Sequence, residues 1–170
     1  LQKIGAVEIK DLSDPASIEL CAASAIQTLG GLDGLVNNAA VTDSGGKPGD
    51  DISIEMWDRV MAVNVRGTWL MSRACHAALA ASGRGAIVNL ASDTALWGAP
   101  NLMAYVASKG AVISMTRALA REYGAGGITV NAIGPGPIAT ELFERVHPPG
   151  APATQRILDT IPLRRMGRRA

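Results

Sequence analysis

The sequence predicts an α/β fold, a parallel sheet wound by helices on both of its faces. Two observations carry that expectation. Short apolar, β-branched runs alternate along the chain with long segments of helical period, which is the pattern of βαβ units. The runs are apolar at successive positions rather than alternating, as in strands covered from both sides. At 170 residues, 48% apolar and 18% charged, the chain suffices for one domain with a sizeable core.

GAVEIK at 5–10 is the first predicted strand. A helix follows, with Ser13 or Asp14 as its cap, Pro15 in its first turn and Gly30 or Gly31 closing it. LDGLVNNAA holds a second strand near 33–38, and the polar loop TDSGGKPGDD comes after it. From Ser53 to Ser82 apolar residues recur at three- and four-residue steps, a long helix interrupted only around Asn64–Gly67. GAIVNLAS gives the third strand, NLMAYVASKGAVISMTRALAREYG another long helix and GITVNAI the fourth strand. The turn-forming GPGP and a tail of short helices and loops complete the chain.

Composition excludes several classes of function. A net charge of +1 offers no general attraction to nucleic acid or acidic membranes. The arginines of PLRRMGRRA (164, 165, 168 and 169) read as a solvated helix start, with phosphate contact as the other reading. The N-terminus has no signal pattern, and the longest charge-free apolar stretch is broken by Gly98, Pro100 and Asn101. A soluble, cytoplasmic protein is expected, with Cys21 and Cys75 as small hydrophobes in a reducing cell. His76 follows Cys75 directly and His147 sits among prolines, so no metal site is indicated.

In such sheets the ligand crevice lies beyond the carboxyl ends of the strands. The residues expected there are Asp11, Asn37 and Asn38, Ser92, and Gly134–Thr140. Turn chemistry accounts for any one of them equally well, but less well for four strand ends together. Tyr105 and Lys109 stand four apart on one helix face. Chance gives such a pair in roughly 5% of shuffled chains of this composition, so the spacing is only suggestive. A lysine ammonium beside a phenol favours phenolate and would fit Tyr105 for proton exchange with a carbonyl/alcohol pair. Ser92 would polarise the same oxygen.

Ser92, then Tyr105 thirteen residues on, then Lys109, set in IVNLAS and AYVASKGAV, resemble the active-site block of the classical short-chain dehydrogenases/reductases. NNAA at 37–40, VNVRG around Asn64, GPGPIAT at 134–140 and DLSD at 11–14 resemble further motifs of that family, in the right order. The resemblance runs from about residue 5 to the end. It implies a Rossmann-like doubly wound parallel sheet and hydride transfer between NAD or NADP and a small carbonyl or alcohol substrate. Tyr105 would be the general acid/base, Lys109 would lower its pKa and hold the nicotinamide ribose, and Ser92 would hold the substrate oxygen. Asn64 would position a water in a proton relay. Asp11, Leu12, Asn38, Ala39, Ile138 and Thr140 would line the cofactor alongside Tyr105 and Lys109; Leu12 and Ile138 read equally as core. Asn37 is expected to tie strands together. Trp97, Met103, Leu142 and Phe143 divide evenly between substrate pocket and core.

Departures from the family pattern set further expectations. Ala40 stands where NNAG has glycine, and NLAS replaces NISS while keeping the serine. No strand with a Gly-rich turn precedes residue 5, so a single partial NAD(P)-binding domain over 1–170 is expected, lacking the family's first two strands and its last. The strand at 5–10 would then stand apart or pair with the one at 33–38. The family resemblance also implies a homodimer or homotetramer at full length, paired through the long helices at 53–81 and 101–124. The alternative to an enzyme is a non-catalytic remnant serving only subunit interaction.

Overall fold

The computed structural model describes residues 11–42 and 46–168, which form one compact unit ending at Gly134 and a second beginning at Pro135. The strand expected at 5–10 lies outside the described residues. Helix α1 (Pro15–Leu29) starts where its cap dictates: the Asp14 carboxylate accepts from the N–H groups of Ala16 and Ser17 at 3.2 and 3.1 Å. Gly30 ends it in the left-handed region, with φ 71°.

Strands β1 (Gly34–Asn37), β2 (Ala86–Leu90) and β3 (Thr129–Ile133) form a parallel sheet in the order β1-β2-β3. Leu35, Ile87 and Val130 stand in register across it. That row meets the core, which α1 supplies with Ile18 and Ala22 and α3 (Thr68–Ala81) with Met71, Cys75 and Leu79. A fully buried side chain such as Ile18 or Leu79 contributes about 2 kcal/mol. The neighbouring row behaves differently: Val36 is 63% exposed. The expectation of helices on both faces is therefore met on one face only among the described residues of this unit. An apolar run shows that a strand is suited to burial, not which element covers it.

The long helix starting at Ser53 is continuous. Ser53 Oγ accepts from Met56 N–H at 3.2 Å and opens α2 (Ile54–Met61), which runs through a π-helical stretch, Ala62–Gly67, into α3. The interruption seen in the sequence around Asn64–Gly67 is this π-helical stretch, whose hydrogen bonds span one residue more than those of an α-helix. Gly67 is required there, because a Cβ would meet the Leu12 carbonyl oxygen at 2.8 Å. After β2 come a four-residue helix α4 (Thr94–Trp97), too short to show a period in the sequence, and α5 (Met103–Gly124). Helix α5 packs on β2 and β3. None of the helices among the described residues is long and apolar enough to cross a membrane.

The second unit holds α6 (Glu141–Val146) and α7 (Pro152–Thr160), the short helices expected of the tail, and a bridge between Ile138 and Gly167.

Candidate active site

The site grows out of the end of β2. The ladder to β3 extends one residue beyond the strand, with Ala91 N–H donating to the Ile133 carbonyl at 2.8 Å. The chain then turns into α4, leaving Ser92 buried at the strand's end, 7% exposed. The Ser92 hydroxyl oxygen accepts from Thr94 Oγ1 at 2.8 Å and from Thr94 N–H at 3.3 Å.

Helix α5 brings Tyr105 and Lys109 to the same place. Lys109 is 4% exposed, and its Nζ donates to the Leu90 carbonyl, at the last residue of β2, over 2.5 Å. The same ammonium lies 5.6 Å from the centre of the Tyr105 ring. The helical spacing puts both side chains on one face, and the bond to Leu90 points that face at the strand end. Burial pulls the Lys109 ammonium below its usual range. Burial is also the main influence on the Tyr105 phenol and pushes it up; a hydrogen bond with Ser92 opposes that, and the Asp93 carboxylate adds to it. The expected lowering of the phenol by Lys109 is thus not what governs Tyr105 here, because loss of water outweighs the favourable contacts.

Asn64 is 1% exposed, and its carboxamide is engaged at both ends. Its oxygen accepts from Val41 N–H at 2.8 Å, and its nitrogen donates to the Val41 carbonyl at 3.0 Å and to Ser108 Oγ at 3.0 Å. Ser108 in turn donates to the Tyr105 carbonyl at 2.7 Å. The side chain therefore clamps the chain beyond β1 to helix α5. Both amide hydrogens are committed to these partners.

A second buried network runs beside the first. Asn37 donates to Ser72 Oγ at 3.1 Å and to Asn89 Oδ1 at 2.8 Å, and Asn89 donates to Thr116 Oγ1 at 2.9 Å. Asn37 ties β1, β2 and α3 together, and Asn89 extends the tie to α5. Asn89, Ser72, Thr116 and Ser108 were not among the expected site residues. A polar residue inside the apolar run IVNL was the signal for Asn89.

The other expected cofactor residues lie in different surroundings. Asn38 and Ala39 are exposed beyond β1 and border an apolar cleft of about 210 Å³, which Leu12 also lines. Asp11 is exposed, its carboxylate held ionised by the N–H and hydroxyl of Ser13, both at 2.7 Å. Leu12 packs against the core, consistent with its reading as a core residue. Ile138 and Thr140 belong to the second unit, where Ile138 makes the bridge to Gly167 and Thr140 Oγ1 caps α6 by accepting from Phe143 N–H at 3.2 Å. Of the substrate-pocket candidates, Trp97 and Met103 are 61% and 43% exposed. Phe143 stacks on His147 with ring centres 4.6 Å apart, and the Leu142 side chain lies outside the described ones.

This arrangement has parallels in known proteins. The family profile described as enoyl-(acyl carrier protein) reductase matches residues 4–170. The chain is 45% identical over 130 residues to the inactive 2-(S)-hydroxypropyl-CoM dehydrogenase 2 of Xanthobacter autotrophicus, covering 76% of this chain and 56% of that protein. It is 35% identical over 151 residues to D-threitol dehydrogenase of Mycolicibacterium smegmatis, covering 88% of this chain and 57% of that one. Among solved structures, NAD+-bound xylitol dehydrogenase superposes with a TM-score of 0.84 at 29% identity, covering 93% of this chain and 65% of the other. ElxO with NADP bound gives 0.84 at 29% identity, covering 93% and 63%. The chain spans little more than half the length of these curated relatives. A profile match over nearly the whole chain, the relatives' identity and the shared fold lead to one conclusion: the chain belongs to the short-chain dehydrogenase/reductase family.

Proposed function

We propose that the chain carries the catalytic part of an NAD(P)-dependent oxidoreductase that interconverts a small alcohol and its carbonyl compound, with Tyr105 as general acid/base. The observation that carries the reading is the convergence on one strand end. Lys109 Nζ is anchored on the Leu90 carbonyl 5.6 Å from the Tyr105 ring, and Ser92 is buried at the same strand end. In the reducing direction the Tyr105 hydroxyl gives its proton to the substrate oxygen; in the oxidising direction the phenolate takes it back. The Lys109 ammonium favours the phenolate, and Ser92 holds the substrate oxygen by donating to it. Asn64 acts through the backbone, fixing α5 by way of Ser108.

The residues fit a dinucleotide. An ammonium has three donors, of which the Leu90 carbonyl takes one, leaving buried donors for ribose hydroxyls beside Tyr105. NAD or NADP supplies or takes up the hydride when bound. Asn38 and Ala39, exposed beyond β1, are assigned to it with Asp11 and Leu12, and the family motif at 134–140 assigns Ile138 and Thr140 to it as well. The free thiols Cys21 and Cys75 suit a reducing, cytoplasmic setting.

We further infer a homodimer or homotetramer. The flank of α2, α3 and α5 is grooved by an open hollow of about 870 Å³ between Arg66, Trp69 and Met115, and Trp69 is 42% exposed. The test of the function is calorimetric titration with oxidised and reduced NAD and NADP, followed by turnover on a panel of secondary alcohols and ketones. Saturable binding of one nucleotide, with turnover, is the expected result. Association without any binding at millimolar nucleotide would favour a module that only joins subunits.

A further inference from the structure

We propose that Thr94 is a positioning residue that makes the Ser92 hydroxyl a donor only, aimed at the oxygen before it. The inference rests on the active-site reading above. A serine hydroxyl has one proton to give and two lone pairs with which to accept. At Ser92 both lone pairs are taken from a single residue two positions on, by Thr94 Oγ1 at 2.8 Å and Thr94 N–H at 3.3 Å. Both contacts belong to the turn that opens α4, and Ser92 is 7% exposed, so water competes poorly for them.

Two consequences follow. Ser92 cannot receive the Tyr105 proton, so that proton passes directly to the substrate oxygen. The Ser92 proton, in turn, has the Tyr105 oxygen and a substrate oxygen as its acceptors. The Thr94 hydroxyl also polarises Ser92, which strengthens the bond that the Ser92 proton makes to either acceptor. No covalent bond changes at Thr94. The charged groups around the phenol are Lys109 on α5 and Asp93 in the turn, and neither is altered by replacing Thr94.

The test is carbon-13 NMR of the chain labelled at tyrosine Cζ. The chain has two tyrosines, Tyr105 and Tyr123, assigned through Tyr105→Phe. Thr94→Val removes the hydroxyl donor and keeps the shape, Thr94→Ser keeps the donor, and Ser92→Ala removes the whole chain of bonds. Thr94→Ala serves where Thr94→Val fails to fold, and Tyr123 reports an intact fold. The expected result is that Thr94→Val moves the Tyr105 titration to higher pH, in the direction of Ser92→Ala, while Thr94→Ser and Tyr123 stay in place. An unmoved Tyr105 in Thr94→Val, an equal displacement in Thr94→Ser, or a joint displacement of both tyrosines overturns the proposal. The titration needs neither nucleotide nor turnover, so failure of the proposed oxidoreductase activity and failure of the Thr94 proposal are read separately. In an active preparation, Thr94→Val lowers kcat about fivefold, the loss of one net hydrogen bond, and leaves nucleotide affinity unchanged.

Discussion

The ammonium of Lys109 is seated on the carbonyl of Leu90, 2.5 Å away, and so joins the helix that carries Tyr105 to the last residue of the central strand. This one bond buries a charge and at the same time places it beside the phenol. Replacing Lys109 by Met is expected to lower turnover by about 100-fold or more, with no change of fold by circular dichroism.

The same burial has a pH signature. Lys109 is held below its ordinary value of 10.5 in the folded chain, so between those two values the unfolded chain binds the extra proton. Folding stability contributed by this group therefore rises with pH through that window. Tyr105 is raised and acts the other way only above its ordinary value of 10.0, so the comparison is kept below it. The difference in unfolding free energy, parent minus Lys109→Met, should increase as the pH rises toward 10.0, as measured by urea denaturation at stepped pH. A flat difference would mean that the ammonium is solvated.

Asn64 holds three groups: the N–H and carbonyl of Val41, and Ser108 Oγ. Asn64→Ala leaves them without that partner in a buried site, at an expected cost of about 3 kcal/mol in urea denaturation. Asn64→Asp should not rescue it, because a carboxylate oxygen would then face the Val41 carbonyl. Stability equal to the parent in either variant would show that the clamp is dispensable.

Gly67→Ala drives a methyl to 2.8 Å from the Leu12 carbonyl, and backbone on both sides leaves little room to yield. The expected cost is about 1–3 kcal/mol, read as a lower thermal midpoint. An unchanged midpoint would mean that the π-helical stretch shifts freely against the start of α1.

Much of this architecture is legible in the sequence because the signals are local. Asp14 and Ser53 announce the starts of α1 and α2 by side-chain bonds spanning three residues, and Gly30 announces the end of α1. Ser92, Tyr105 and Lys109 are legible for a different reason, since their types and spacing form a block that resembles one family. The rest depends on partners far away in the chain. Nothing near Asn64 points to Val41, 23 residues earlier, and Asn89 acquires its meaning only when the register sets it opposite Asn37. Thr140 shows the converse limit, since the residue expected beside a cofactor is seen capping α6. Residue type alone does not separate those uses.

The central claim is that the Tyr105 hydroxyl moves the proton. The most direct measurement is steady-state turnover of the parent chain and Tyr105→Phe on one alcohol/ketone pair, with nucleotide affinity measured in parallel. The predicted result is a loss of turnover of about 100-fold or more, with nucleotide affinity within a few-fold of the parent. Turnover in Tyr105→Phe within a few-fold of the parent, or none in a parent chain saturated with nucleotide, would contradict it.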